Sequence, residues 1–160
     1  MTTEHPQERA AFLQLLGEVV ELGGMIEFNL TLMLAGMVTQ GNANLGLLVV
    51  GGENVEWMAD KVKRFGAQYQ RFDSAAGLAD WATECRTAFE RRNRLFHDFQ
   101  AYGTHGRTAM RIPRKGTGSD LVTLRPGAVQ EARDTRAALQ RVMEGLARLH
   151  LRLAQRKYRF

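Results

Sequence analysis

Apolar residues recur at alternating steps of three and four along the N-terminal quarter of the chain. The series consists of Phe12, Leu16, Val19, Gly23, Ile26, Leu30, Met33 and Met37. This spacing is typical of a long helix that buries one side. The pair Gly41-Asn42 predicts where that helix ends, because glycine and asparagine favour turns.

A short apolar segment from Leu45 to Val50 follows and leads into Gly51-Gly52. A strand followed by glycines could suggest a nucleotide-binding turn. The segment lacks the third glycine and the alternating strand–helix pattern of that fold, so a helix end is the better interpretation. Another amphipathic helix is predicted from Glu53 to about Tyr69. Its apolar positions are Val55, Met58, Val62 and Phe65.

The next predicted helix begins after Asp73-Ser74, since either side chain can accept a hydrogen bond from the first free backbone amides. One seam of this helix carries Leu78, Ala82, Cys85, Phe89, Arg92, Phe96 and Phe99. Tyr102-Gly103 and Gly106 predict its end.

The apolar period changes from helical to alternating between Arg107 and Leu124. A turn-rich stretch, residues 113–120, divides the alternating run, which predicts a β-hairpin inserted at about residues 103–125. Pro126 suits the first turn of a last helix. The seam of that helix is Ala132, Thr135, Leu139, Val142, Leu146, Leu149 and Leu153.

These elements predict one all-α domain over residues 1–160, a four-helix bundle with a β-hairpin insertion before the last helix. A chain of 160 residues, 44% hydrophobic, is long enough for a single core. Its one cysteine cannot form an internal disulfide and no Cys/His cluster resembles a zinc site, so no metal or cofactor is expected.

The sequence also bears on location. The N-terminus lacks the basic-then-apolar order of a signal peptide. The charge-free run from Phe28 to Val50 is interrupted by glycine, glutamine and asparagine, which is unlike a membrane span. We therefore expect a soluble cytoplasmic protein without a membrane partner.

Charge is segregated along the chain. Residues 1–85 sum to −6, with 5 basic and 11 acidic residues, whereas residues 86–160 sum to +11, with 17 basic and 6 acidic. An acidic half facing a basic half can be merely self-complementary. A basic surface can also bind polyanions, because lysine and arginine release counterions when they neutralise phosphates.

The clearest candidate for chemistry is Arg92, which occupies a seam position where leucine or alanine would be expected. One interpretation is structural: the stem packs and the guanidinium reaches a carboxylate such as Glu90 or one on a neighbouring helix. The neighbouring residues suggest a second interpretation. Asn93 and His97 are four apart and therefore share a helix face. A cation, an amide and an imidazole at one spot suit cleavage of a phosphodiester without a metal.

The segment Arg92-Asn93-Arg94-Leu95-Phe96-His97 resembles the motif of ribonucleases in the HEPN (higher eukaryotes and prokaryotes nucleotide-binding) superfamily. That motif has arginine, a polar residue, three variable residues and histidine on a helix of an all-α bundle. The resemblance implies a homodimer with two motifs in one composite active site. It also implies metal-independent endoribonuclease activity in a toxin or antiphage-defence effector, with a cognate antitoxin or inhibitor as a partner.

The resemblance departs from one toxin subgroup, in which a tyrosine two residues after the histidine is modified. Phe99 stands at that position here, so AMP transfer to this site is not expected.

We therefore assign Arg92, Asn93 and His97 as candidate catalytic residues and RNA as the substrate. Basic residues around and after the motif are the candidates for holding RNA, and the charge segregation would place a positive rim beside the cleft. These are Arg91, Arg94, Arg111, Arg114 and Lys115. The remaining histidines (His5, His105 and His150) and Cys85 are interpreted as structural or solvent-facing.

Two alternatives stay open on the sequence. One is a non-catalytic module of the same helical type that binds RNA, a nucleotide or a protein partner, with Arg92 in a structural ion pair. The other is a helical protein-interaction or antitoxin subunit in which the Arg/His pair is coincidental.

Overall fold

The computed structural model describes residues 6–39, 42–68, 75–100, 110–111, 123–124 and 126–157. Within these ranges the chain forms five helices and one short pair of strands, which confirms the predicted all-α class. The elements in chain order are α1 (Pro6–Val38), α2 (Ala43–Val50), α3 (Val55–Gln68), α4 (Ala75–Gln100), β1 (Met110–Arg111), β2 (Thr123–Leu124) and α5 (Ala128–Lys157).

The apolar segment after the first helix forms a separate helix, α2. Asn42 caps it, because its side-chain oxygen accepts a hydrogen bond from the backbone N–H of Leu45 at 3.2 Å. Gly46 lets α2 lie directly on α1: a Cβ at this position would be 2.5 Å from the carbonyl oxygen of Ala35. The segment is therefore helical rather than a strand, but it forms a helix of its own, so the described residues contain five helices where the sequence predicted four.

The start of the last helix differs from the prediction. Pro126 does not lie in its first turn; Pro126 and Gly127 form a turn and α5 begins at Ala128. Gly127 has a φ of +84°, a left-handed conformation that glycine adopts without strain. Its carbonyl accepts the N–H of Glu131 at 2.9 Å, which closes the first turn of α5.

The strands pair antiparallel, Met110 with Leu124 and Arg111 with Thr123. This pairing lies within the predicted hairpin. Residues 101–109 and 112–122 lie outside the described residues, so a hairpin over the whole insertion stays a prediction.

The core contains the predicted apolar seams of α1, α4 and α5. Phe12, Val19, Ile26 and Leu30 of α1 are fully buried, as are Leu139 and Val142 of α5. α5 packs against α1 and α4, and α3 packs against α4 and α1. The helical period therefore identified the buried faces correctly.

Helices α4 and α5 run antiparallel and are joined by a tryptophan. The indole N–H of Trp81 donates to the carbonyl of Val142 at 3.2 Å, and its ring lies against Gly145. One turn further along α4, Glu84 accepts from Arg141 at 2.9 Å. Residue numbers rise on one helix as they fall on the other, which fixes the direction.

Among the described residues, α1 is the one helix long and apolar enough to cross a membrane by length and composition. Within the fold, 39% of its apolar window is buried. The core helix of a water-soluble protein and an N-terminal signal sequence meet the same criterion of length and composition.

A candidate site around Arg92 between α1 and α4

Arg92 lies in the interface between α4 and α1, at the seam position predicted from the sequence. Its side chain is 25% exposed. Gly23 on α1 makes room for it, since a Cβ at that position would be 3.2 Å from Arg92 Nε. The sequence predicted Gly23 only as part of an apolar stripe. That it makes room for Arg92 could not be predicted, because this depends on which helix packs against α1 at that position.

Two phenylalanine rings flank the guanidinium. Arg92 Cζ is 5.6 Å from the ring centroid of Phe89 and 5.5 Å from that of Phe96. These residues lie three before and four after the arginine, the spacing that brings side chains together on one helix face. Attraction between the cation and the ring faces stabilises a charge that is partly removed from water.

The polar contacts of Arg92 reach two oxygens. Nη1 is 3.6 Å from Oε1 of Glu27 on α1, and it donates to Oδ1 of Asn93 at 3.3 Å. Nε is buried and has no hydrogen-bond partner among the described residues. The carboxylate on a neighbouring helix that the structural interpretation required is therefore present, and it is Glu27.

The structure brings Arg92 and Asn93 together, and Asn93 is exposed beside the interface. His97 belongs to α4, one helical turn after Asn93. Its side chain lies outside the described residues, so its convergence with the other two stays a prediction from helix geometry.

Of the residues predicted to hold RNA, Arg91 and Arg94 are exposed on α4. Arg111 belongs to β1, and its side chain lies outside the described residues. Arg114 and Lys115 lie outside them as well.

A cleft of about 680 Å³ opens beside Arg92. α4 contributes Arg86, Phe89, Glu90, Arg92 and Asn93 to its wall, and α1 contributes Gly24, Glu27, Phe28 and Thr31. The remaining lining residues are Gly52, Glu53, Asn54, Val55, Glu56 and Met58.

The wall of this cleft carries both signs of charge. Two arginines, Arg86 and Arg92, share it with the carboxylates of Glu27, Glu53, Glu56 and Glu90. The described part of the cleft wall is therefore of mixed charge. The positive rim beside it, expected from Arg91, Arg94 and the basic residues of the insertion, stays a prediction. The carboxylates of this wall were not predicted from the sequence, because sums of charge over long segments do not show which residues face each other in the fold.

The other titratable candidates are placed as follows. Cys85 is buried in the core, where desolvation, with a smaller effect of the Glu84 charge, raises its pKa to about 12. Such a thiol is not a nucleophile at neutral pH, which supports its interpretation as a core residue. Burial lowers the pKa of the half-buried His150. His5 and His105 lie outside the described residues, and the described part of the chain contains no group of three metal-ligating side chains that could hold an ion.

Comparison with family models, with curated proteins and with solved structures gave no match for this chain. Any functional conclusion therefore depends on the site itself and on the motif it carries.

Proposed function

We propose that this chain is a metal-independent endoribonuclease of the HEPN type. The observation that carries the proposal is the pair Arg92 and Asn93, hydrogen-bonded to each other at the wall of an open cleft, with His97 one turn further along the same helix. The sequence motif contains the three residue types, and the open cleft gives an RNA strand access to them.

In the proposed reaction the ribose 2′-hydroxyl attacks the adjacent phosphorus and the bond to the 5′-oxygen breaks. The products are a 2′,3′-cyclic phosphate and a 5′-hydroxyl. His97 removes the proton from the 2′-hydroxyl or delivers one to the leaving oxygen. Arg92 stabilises the negative charge that builds on the non-bridging phosphate oxygens, and Asn93 holds the imidazole or a phosphate oxygen in place.

Binding of a phosphate requires Arg92 to exchange one partner. Its contact with Glu27 is long, at 3.6 Å, and Glu27 is 43% exposed, so water screens the pair and its contribution to stability is small. A phosphate oxygen can therefore replace the carboxylate at Nη1 with little loss. The two phenylalanine rings keep the guanidinium in place during the exchange.

The proposal extends to the assembly. A HEPN-like four-helix bundle with a hairpin insertion would form a homodimer through α4, so that two motifs face one cleft. Two copies would supply both a base and an acid, which a single His97 cannot provide at once. A role as a cytoplasmic toxin or antiphage-defence effector, held in check by an antitoxin or inhibitor, belongs to the same proposal.

Substrate would be held by charge rather than by base contacts. Arg91 and Arg94 are exposed next to the motif, and Arg111, Arg114 and Lys115 of the insertion would extend the grip. Such phosphate contacts position a strand without reading its sequence.

The test is cleavage of RNA by the purified chain in the presence of a chelator. We expect Arg92→Ala and His97→Ala to lower the rate by about a hundredfold or more, the range of a lost acid–base or electrostatic group. Two matched controls, Arg64→Ala on the exposed face of α3 and His150→Gln on α5, should cleave as the wild type does.

Unchanged cleavage by His97→Ala would refute the proposed chemistry. Activity that disappears with chelator and returns with magnesium would refute it too, because this mechanism involves no metal. A 2′,3′-cyclic phosphate on the product is the expected chemical signature.

A non-catalytic binding or interaction module is the second candidate. The specific observation in its favour is that Arg92 is accommodated over Gly23 and contacts Glu27, as a structural ion pair would be. This candidate predicts that RNA binds without being cleaved and that His97→Ala changes neither result.

A further inference from the structure

Large exposed apolar side chains are concentrated on one part of the molecule, which we call the α1–α2 surface. Of the ten such side chains among the described residues, nine belong to α1 or α2. They are Leu13, Val20, Met25, Phe28, Leu32, Leu45, Leu47, Leu48 and Val49. Leu48 is the most exposed of them, at 83%. Apolar area concentrated in this way marks an interaction site rather than ordinary surface.

The shape of the α1–α2 surface suits a helix. Gly17 and Gly24 lie on the exposed side of α1, and a Cβ at either position would meet nothing within 4 Å. Small residues at such positions let a second helix approach the backbone closely. The larger side chains at Leu13, Val20 and Phe28 alternate with these glycines and would pack on both sides of the incoming helix.

The charge of this surface limits which helix can bind. Residues 10–60 contain no lysine or arginine. Glu21 is exposed among the apolar residues of α1, and Glu53 and Glu56 are exposed just after α2. Pairing two copies of the surface face to face would bring acids against acids, which is unfavourable. The surface therefore matches a helix that is both apolar and basic.

The last turns of α5 have that chemistry. Leu151 is the tenth large exposed apolar side chain, 63% exposed, and Arg148 and Arg152 are exposed on either side of it. From residue 147 to the last residue, 160, the sequence has five basic residues and no acidic one. In a single chain these three side chains and the α1–α2 surface are all exposed, so the contact is not made within one copy.

We propose that the α1–α2 surface binds the basic C-terminal end of α5 from a second copy of this chain. Leu151 packs on the apolar residues of α1 and α2. Arg148 and Arg152 face the acidic residues of the same surface, which are Glu21, Glu53 and Glu56. This contact does not require the proposed chemistry and is distinct from a dimer through α4, but it borders the cleft: Gly24, Phe28, Glu53 and Glu56 also belong to the cleft wall.

The first test is the salt dependence of self-association, measured by analytical ultracentrifugation of the full chain. Opposite charges across the contact predict association at low salt that weakens as salt rises. Pairing of two α1–α2 surfaces predicts association that strengthens as salt rises, because salt would screen the repulsion between Glu21 of one copy and Glu21 of the other. Association that strengthens with salt, or none at low salt, overturns the proposal.

The second test is a charge exchange. Glu21→Lys and Arg152→Glu should each raise the dissociation constant about tenfold. An equimolar mixture of the two variants should restore association. The lysine introduced in one chain meets the glutamate introduced in the other, and the reciprocal contact joins an unchanged Arg152 to an unchanged Glu21. Asp80→Lys, which reverses an exposed acid on α4, is the matched control and should associate normally. A mixture that stays as weak as the single variants overturns the proposal.

The apolar half of the contact is tested by Leu48→Ser. Since Leu48 is 83% exposed, the substitution leaves the core intact and should weaken association about as much as the charge reversals. None of the three substitutions expected to weaken association lies on α4, so a dimer through α4 would persist in each of those variants. Loss of association in them therefore reports on the α1–α2 contact alone. Wild-type chain that cosediments with phosphatidylcholine vesicles, with Leu48→Ser remaining free, would overturn the proposal in favour of a membrane surface.

Discussion

Arg92 shows what a charge needs at a helix interface. Its guanidinium lies between two phenylalanine rings, its Nε lies over Gly23, and its Nη1 reaches both Asn93 and Glu27. An uncompensated guanidinium in this place would be costly, because burial removes water from the charge. The glycine on the facing helix is thus as much a part of the site as the carboxylate.

This geometry predicts different effects for the same substitution at two glycines of α1. Alanine in a helix interior is more stable than glycine by about 1 kcal/mol. Gly17→Ala should realise that gain, because nothing lies within 4 Å of the new Cβ. Gly23→Ala should lose most or all of it, because Arg92 must move away from a Cβ at 3.2 Å.

Free energies of unfolding from urea titration check this prediction. The control is the same pair of substitutions in an Arg92→Ala background, where Gly23→Ala should recover its gain. Equal gains at both positions in the wild-type background would show that the arginine does not occupy the space over Gly23.

At the scale of elements, α2 is attached to α1 by contact between backbones. Gly46 of α2 lies on Ala35 of α1 so closely that a Cβ would be 2.5 Å from a carbonyl oxygen. A backbone atom cannot rotate aside as a side chain can. This contact fixes where α2, and the apolar residues it carries, sit relative to the rest of the fold.

Gly46→Ala should therefore destabilise the protein by about 2 kcal/mol, the usual cost of overpacking a tight contact. Gly36→Ala is the control on the facing helix: its Cβ would meet nothing within 4 Å, so the substitution should leave the stability unchanged or raise it, as expected for Gly17→Ala. Thermal unfolding of both variants measures the difference. Similar melting temperatures for the two would contradict the backbone contact.

The helices themselves were largely predictable, and their contacts were not. Spacing along α1, α4 and α5 gives the buried face, because side chains three and four apart share a side of a helix. The start of α5 was misplaced at Pro126, since the turn through Gly127 depends on a left-handed φ that the proline signal does not reveal. The pairing of Arg92 with Glu27 joins positions far apart in the chain, so only the packing of α1 against α4 could identify it.

At the scale of the whole molecule, the acidic and basic parts of the sequence meet rather than separate. Glu27 faces Arg92, Glu18 pairs with Arg136, and Glu84 pairs with Arg141. Some of the charge segregation is thus used within the fold. The part that is left, on the α1–α2 surface and at the end of α5, is what we propose to pair between copies.

The one cysteine of the chain lies in the hydrophobic core. Cys85 is fully buried and its pKa is raised to about 12 by desolvation and, to a smaller extent, by Glu84. We expect labelling by a thiol reagent at mildly alkaline pH to be slow and to require global opening of the fold, because neither the thiolate nor access exists in the folded state.

The rate of that labelling should rise with urea in parallel with the unfolding equilibrium followed by circular dichroism. A Cys85 that reacts at the speed of a free thiol in the absence of urea would contradict the burial. Labelling that is independent of urea would point instead to a local opening of α4.

The docking of Trp81 against Gly145 also has an optical consequence. The chain has two tryptophans: Trp57 is half-buried on α3 next to Lys61, whereas Trp81 is buried with its N–H bonded to Val142. Because the colour of indole emission depends on the polarity around the ring, Trp81 fluoresces from apolar surroundings while α4 and α5 are joined and from water once they part. Separation of α4 from α5 should therefore shift the emission of Trp81 to longer wavelength, and this shift can be followed in real time without an attached dye.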